Sequence, residues 1–135
     1  MSQATRTILC VDDDQDDRDL ICFTIGEIDP SVSMVHAEDG LEAIEYLAKA
    51  KSEEGLPCLV ILDINMPRMD GKRTLAEIKK DVELSELPVV VFSTSNNPRD
   101  KAYCDSYGVE LITKPSNMQN MKQEIKRILQ YCPNE

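Results

Sequence analysis

Residues 59–62 form an uninterrupted apolar run, Leu-Val-Ile-Leu, that is followed at once by the carboxylate of Asp63. A run without a polar face suits a central strand of a parallel sheet, so Asp63 is predicted at the carboxyl end of that strand. In open α/β sheets this edge is where loops meet and ligands bind. Pro67 interrupts the strand pattern, and Asp70 and Gly71 are predicted to begin a helix. The pattern therefore predicts an accessible acid on a rigid scaffold.

Four further apolar segments alternate with stretches of helical periodicity. The predicted strands cover residues 6–11, 32–37, 59–62, 87–92 and 109–113, and a predicted helix follows each of them. Five strands that alternate with five helices predict an α/β fold, a doubly wound parallel sheet covered on both faces. Helical spacing places Val82 on the core side of the third helix and Met118 on the core side of the fifth.

The length and charge of the chain limit the classes of function. A chain of 135 residues is expected to form one domain over 1–135, with no output domain. Twenty-five acidic and fifteen basic residues give a net charge of −10, which argues against binding to nucleic acids or anionic membranes. The opening MSQATRT has no apolar signal region, and no run approaches the roughly 20 residues of a membrane span. We therefore expect a soluble, cytoplasmic protein.

The cysteines are odd in number and lack any CxxC spacing. They are Cys10, Cys22, Cys58, Cys104 and Cys132. Most lie in apolar segments, so they are predicted to be buried free thiols in a reducing cytosol.

Polar side chains follow four of the predicted strands, at the point where each strand ends. They are Asp12 and Asp13 after the first strand, Asp63 after the third, Ser93 after the fourth and Lys114 after the fifth. Three converging carboxylates would repel one another, so the arrangement calls for a cation, and oxygen ligands fit Mg²⁺. A carboxylate beside Mg²⁺, a lysine and a hydroxyl is equipped for phosphoryl transfer. Asp63 would be the nucleophile, while Lys114 and Ser93 would hold the phosphoryl oxygens.

Four motifs in this order and spacing resemble a known family over essentially the whole chain. They are ILCVDDD at 8–14, LDINMPRMDG at 62–71, PVVVFSTS at 88–95 and TKP at 113–115. The chain resembles the CheY-like receiver domains of two-component response regulators. This resemblance implies the flavodoxin/CheY-like strand order 2-1-3-4-5. The STS run and the compact length are most similar to small stand-alone regulators that partner phytochrome-type histidine kinases.

The resemblance also implies a role for each site residue. Asp63 would accept a phosphoryl group from the phosphohistidine of a sensor histidine kinase, with Asp13 and Asp63 binding Mg²⁺ directly. Asp12 would act largely through water, and Asn65 would contribute its backbone carbonyl to the metal. Ser93 stands at the position of the family's switch hydroxyl, and Lys114 matches the family lysine. The bond from Lys114 to Pro115 would be cis.

One position departs from the family pattern. Where the family usually has Tyr or Phe three residues before the lysine, this chain has Leu111. We expect the last two helices still to reposition on phosphorylation, with Leu111 or Tyr107 repacking in place of the aromatic ring. Tyr103 and Tyr107, four residues apart on the fourth helix, are candidates either for core packing or for a partner-binding surface.

The sequence leaves the form of output open. Phosphorylation of Asp63 would change a surface built from the fourth helix, the fifth strand and the fifth helix. Output would come by binding of a downstream protein, by homodimer formation, or by relay of the phosphoryl group to a phosphotransfer protein. A Mg²⁺-dependent aspartyl phosphohydrolase would need an acid two residues after Asp63, where the chain has Asn65. A flavin carrier would need a phosphate loop where the chain has aspartates, and an unreactive pseudo-receiver would lack the acid or the lysine. Catalysis is therefore expected only on the protein's own Asp63.

Overall fold

The computed structural model describes residues 6–53 and 55–132, which form a five-stranded parallel sheet in the order β2-β1-β3-β4-β5. The strands are β1 (Arg6–Val11), β2 (Val32–Ala37), β3 (Leu59–Leu62), β4 (Val89–Ser93) and β5 (Glu110–Thr113). The predicted doubly wound fold and its strand order are confirmed. The domain limits of 1–135 stay a prediction, since residues 1–5 and 133–135 lie outside the described part, as does most of the MSQATRT opening.

Five helices connect and flank the strands. They are α1 (Gln15–Ile28), α2 (Gly40–Ser52), α3 (Gly71–Lys80), α4 (Pro98–Ser106) and α5 (Met118–Leu129). Each begins after an Asp or Asn whose side chain accepts a hydrogen bond from a backbone N–H of the first turn. Such a cap typically stabilises a helix by about 1 kcal/mol. None of the helices in the described part of the chain has the length and apolar character needed to cross a membrane.

The sheet separates two hydrophobic cores. On one face, α1 and α5 contribute buried residues that include Ile21 and Ile125. On the other face, α2, α3 and α4 contribute buried residues that include Leu47, Leu75 and Cys104. All four residues of β3 are buried, as expected for a strand covered on both sides.

Two predicted core positions face solvent. Val82 is 86% exposed because α3 ends at Lys80, two residues before it, and the following turn buries Leu84 and Leu87 in its place. Met118 is 43% exposed at the first position of α5, and the first buried residue of this helix is Met121, about one turn later. The apolar periodicity of the sequence thus continues to Val82, past the end of α3. In α5 it includes Met118, the first residue of the helix, which is not yet covered.

The cysteine prediction is wrong for two of the five residues. Cys58, just before β3, and Cys132, after α5, form a disulfide with their Cα atoms 5.3 Å apart. Cys10 and Cys104 are buried free thiols, and Cys22 is a half-buried one. The two bonded residues are 74 positions apart in the chain, so sequence spacing does not indicate the pairing. The disulfide also removes the support that the cysteines offered for a reducing compartment.

We expect Cys132→Ser to lower the free energy of unfolding by about 2–4 kcal/mol, because the disulfide closes a long loop and so restricts the unfolded chain. Urea unfolding of the oxidised protein and of the variant measures this difference. Cys22→Ser is the matched control and should have little effect, since Cys22 is half-buried and unbonded. Equal losses in the two variants, or full alkylation of Cys58 in the untreated native protein, would show that the disulfide does not form.

Candidate functional site

Three carboxylates meet at the carboxyl edge of the sheet. Asp12 and Asp13 follow β1, and Asp63 follows β3, which is paired directly with β1. Asp12 is 2% exposed and Asp63 is 8% exposed, while Asp13 faces solvent. A carboxylate oxygen from each of the three lies within 4.8 Å of the others. This all-oxygen donor set fits a hard divalent cation, because close carboxylates on their own would repel.

The backbone around Asp63 is held by the start of α3. The Asp63 amide donates to the Val11 carbonyl at 2.9 Å, and the Gly71 amide donates to the Ile64 carbonyl at 2.8 Å. A Cβ atom at Gly71 would fall against the backbone carbonyl of Asp63, so glycine permits this close approach. The first residue of α3 is therefore packed directly on the acid that ends β3.

The Lys114 ammonium lies among these acids. Its Nζ donates to Asp12 at 2.7 Å, to Asp17 at 2.8 Å and to Asp63 at 3.4 Å, and its side chain is 7% exposed. Burial opposes the charge of this group, but the bonds to Asp12 and Asp17 outweigh it and raise the pKa of Lys114 above its ordinary range. Burial also raises the pKa of Asp12, against the opposing effect of Lys114.

Asp17 is the one member of this cluster that the sequence did not identify. It lies in the first turn of α1, where an acid is also expected for its effect on the helix dipole. No local pattern distinguishes Asp17 from the neighbouring acid Asp16, because its contact with Lys114 depends on the position of β5.

The other predicted site residues lie near the same edge with different exposures. Ser93 is fully buried at the end of β4, and its hydroxyl accepts a hydrogen bond from the Ser95 amide at 3.2 Å. The Lys114 amide donates to the Ser93 carbonyl at 2.8 Å, which joins the ends of β4 and β5. Asn65 is exposed in the loop after β3. The described residues contain no cis peptide bond, so the expected cis bond at Pro115 is not found.

An arginine in the loop after β3 binds this loop to the start of α2. Arg68 has a φ of 62°, in the left-handed region, and its Nε donates to the buried Asp39 at 2.6 Å. This hydrogen bond, followed by others at Asp39, keeps the pKa of Asp39 below its ordinary value. The Gly40 amide also donates to the Met69 carbonyl at 2.9 Å. Sequence reasoning did not single out Arg68, because a non-glycine residue rarely adopts this conformation.

A second polar cluster joins α3 to α4. The Lys72 ammonium lies 2.6 Å from Asp100, and Asp100 also accepts a hydrogen bond from the Ser95 hydroxyl. Lys72 first and then Ser95 hold the pKa of Asp100 below its ordinary value of 3.8. Because Ser95 lies two residues after Ser93, this cluster connects the end of β4 to the first turn of α4.

The three candidate switch residues differ in burial and in contacts, and one of them, Tyr103, touches this cluster. The Tyr103 hydroxyl donates to the Lys72 carbonyl at 2.6 Å, and its ring meets that of Tyr107 edge-on, with centroids 5.3 Å apart. Burial, and then Tyr107, raise the pKa of Tyr103 to about 12. Leu111 is half-buried and packs against the same hydrophobic core as Tyr103, while Tyr107 is 36% exposed. The Tyr103 side chain is therefore partly buried against the core and bonded to α3, whereas the Tyr107 side chain is more exposed to solvent.

Comparison with known proteins identifies the family to which this fold and this site belong. The model of the response regulator receiver domain family matches residues 8–126. The chain therefore belongs to the response regulator receiver domains of two-component signalling. Members of this family are signalling proteins rather than enzymes that turn over an external substrate.

Two similar proteins are the response regulators Rcp1 and RcpA. The chain is 31% identical to the response regulator Rcp1 of Synechocystis over 132 residues, covering 94% of this chain and 88% of Rcp1. It is similar to the crystal structure of the phosphorylated cyanobacterial phytochrome response regulator RcpA, with 35% identity, a TM-score of 0.86, and coverage of 95% and 94% of the two chains. The Mn²⁺-bound form of Rcp1 has 30% identity, a TM-score of 0.82 and 94% coverage of each chain.

We expect Asp100→Asn to lower the melting temperature at pH 7, because it removes the charge that Lys72 and the first turn of α4 stabilise. The folded-state pKa of Asp100 lies below 3.8, so its contribution is present above that pH and is lost as the pH falls through the folded-state pKa. The difference in melting temperature between the two proteins should therefore shrink on acidification.

Asp105→Asn is the control for this prediction. Asp105 lies on the same helix, but its pair with Lys101 is largely exposed, with side-chain exposures of 59% and 68%. Pairs of this kind contribute little. Calorimetry should therefore show a smaller loss for Asp105→Asn than for Asp100→Asn at pH 7, and equal losses would contradict a stabilising role for the α3–α4 cluster.

Proposed function

We propose that this protein is a response regulator whose Asp63 accepts a phosphoryl group from the phosphohistidine of a sensor histidine kinase. The observation that carries the proposal is the position of the Lys114 ammonium, 2.7 Å from Asp12 and 3.4 Å from Asp63. A lone surface carboxylate is a weak nucleophile toward a charged phosphoryl group, since the two repel. An ammonium beside it offsets that repulsion where the new bond forms.

The chemistry follows from these positions. A carboxylate oxygen of Asp63 forms a bond to phosphorus, the bond from phosphorus to the histidine nitrogen breaks, and the imidazole leaves with the electron pair and takes up a proton. Lys114 neutralises charge on the phosphoryl oxygens, and Ser93 supplies a hydroxyl from the end of β4. Attack by water later returns the aspartate and inorganic phosphate. Both steps are reactions of the protein's own side chain, catalysed by its own residues.

The cation of the proposal is Mg²⁺, which Asp13 and Asp63 would bind directly and Asp12 largely through water, with the backbone carbonyl of Asn65 as a further ligand. When bound, it supplies positive charge that neutralises the phosphoryl oxygens. Four acids in the cluster against one lysine leave excess negative charge, which supports a requirement for a divalent ion. The Mn²⁺-bound form of Rcp1 is a related protein with a divalent ion.

We expect an acyl phosphate donor with Mg²⁺ to add one phosphoryl group that hydroxylamine removes, and Asp63→Asn to abolish this labelling. Intact-mass spectrometry measures the modification, and a chelator should prevent it. Asp70→Asn is the matched control, because Asp70 lies in the same loop and Asn also serves as a helix cap. Undiminished labelling of Asp63→Asn, or labelling that persists in the chelator, would refute the assignment.

The proposed output is a change in the surface of α4, β5 and α5. Ser93 can close on the phosphoryl group, and Ser95 links the same loop to Asp100 and hence to Lys72 and Tyr103. We propose that this chain of contacts, with Leu111 or Tyr107 repacking, replaces the aromatic residue that the family usually has at position 111. The changed surface then binds a downstream protein, forms a homodimer, or precedes transfer of the phosphoryl group to a phosphotransfer protein.

The proposal includes a phytochrome-type kinase as the donor, supported by the similarity to the phytochrome response regulator RcpA. It also includes a cytoplasmic location, where a kinase phosphohistidine can reach Asp63. The net charge of −10 supports protein partners over nucleic acids or anionic membranes.

We expect a beryllofluoride mimic of the phosphoryl group to shift the backbone amide resonances of α4, β5 and α5 as well as those beside Asp63. The physical reason is that closure of Ser93 on the mimic pulls the loop that carries Ser95. Heteronuclear NMR spectra with and without the mimic measure this. Spectra that differ only around the three carboxylates would rule out the repositioning.

A further inference from the structure

Asp17 is the third carboxylate that bonds to Lys114. It belongs to α1, a helix that contains none of the predicted site residues. It lies in the first turn of α1, and its Oδ2 is 2.8 Å from Lys114 Nζ. The corresponding distance from Lys114 to Asp63 is longer, at 3.4 Å. The ammonium is therefore drawn closer to α1 than to the residue proposed to react.

The donors of Lys114 are fully used in this arrangement. An ammonium group has three N–H donors, and Asp12, Asp17 and Asp63 each accept one. Once Asp63 carries a phosphoryl group, the donor that faces Asp63 can reach a phosphoryl oxygen, and the ammonium can move further toward that group only by lengthening its bond to Asp12 or to Asp17.

Of the two short bonds, the one to Asp17 is the easier to give up. The Asp12 side chain is 2% exposed and has little access to water that could replace the ammonium, whereas the Asp17 side chain is 37% exposed. A buried charge without a partner is costly, but an exposed carboxylate is readily hydrated.

We propose that Asp17 is a positioning residue that competes with the phosphoryl group for Lys114. In the unphosphorylated protein it holds the ammonium toward α1. On phosphorylation, which rests on the function proposed above, Lys114 moves toward the phosphoryl oxygens and Asp17 is released to water. Asp17 thereby lowers the affinity of the site for a phosphoryl group.

The test measures the dissociation constant of beryllofluoride by ¹⁹F NMR at saturating Mg²⁺, with saturation checked for each variant by titrating Mg²⁺ alone. Asp17→Asn should tighten binding by about two- to fivefold, the range expected for loss of a competing ion pair that is partly exposed. Asp16→Asn is the matched control, because Asp16 is an exposed acid in the same helical turn without a bond to Lys114. It should have a smaller effect.

A double-mutant cycle shows whether the effect acts through the lysine. In a Lys114→Met background, Asp17→Asn should no longer tighten binding beyond Asp16→Asn. If the tightening persists there, Asp17 acts by general charge repulsion and the competition is refuted. If Asp17→Asn weakens binding in the native background, Asp17 aligns Lys114 rather than withholding it, which also overturns the proposal.

The outcomes separate this inference from the function on which it rests. If the unmodified protein binds no beryllofluoride, both fail. If the unmodified protein binds it, Asp63→Asn does not, and Asp17→Asn matches Asp16→Asn, only the role of Asp17 fails.

Discussion

The contact on which the site depends is the one between the Lys114 ammonium and the acids at the ends of β1 and β3. Asp12 and Asp63 are nearly buried and close together, an arrangement that like charges would oppose. Lys114 reaches them from the end of the edge strand β5, so strands that are not neighbours of β5 in the sheet contribute the opposite charges at this point. The parallel sheet makes this possible, because it brings the carboxyl ends of non-consecutive strands to a common edge.

Most of the fold could be predicted because its determinants are local in the sequence. The apolar runs of the strands, the Asp and Asn caps and the alternation of the two periodicities together specify a doubly wound sheet. The strand order came from the family resemblance, and it is the order observed. Asp12, Asp13, Asp63 and Lys114 were predicted to meet because each directly follows a strand, and the structure brings them together.

The features that sequence reasoning missed depend on where an element stops or on distant parts of the chain. Val82 continues an apolar period, but α3 has already ended at Lys80. Asp17 resembles an ordinary first-turn acid until β5 brings Lys114 to it. The left-handed conformation of Arg68 is supported by Asp39 at the start of another helix, a contact without a local pattern. Each of these requires the assembled tertiary structure, in which packing overrides local preference.

The bond between Cys58 and Cys132 has a mechanical consequence for α5. It attaches the far end of this helix to the sheet margin opposite the acids, beside the Cys132 carbonyl that accepts a hydrogen bond from Arg6. The near end of α5 follows the loop that carries Lys114 and has no covalent tether of this kind. A helix attached at one end pivots instead of sliding along its axis, so displacement would grow from Cys132 toward Met118. Any such rotation of α5 would therefore move its first turn, next to the loop that carries Lys114, more than its last turn.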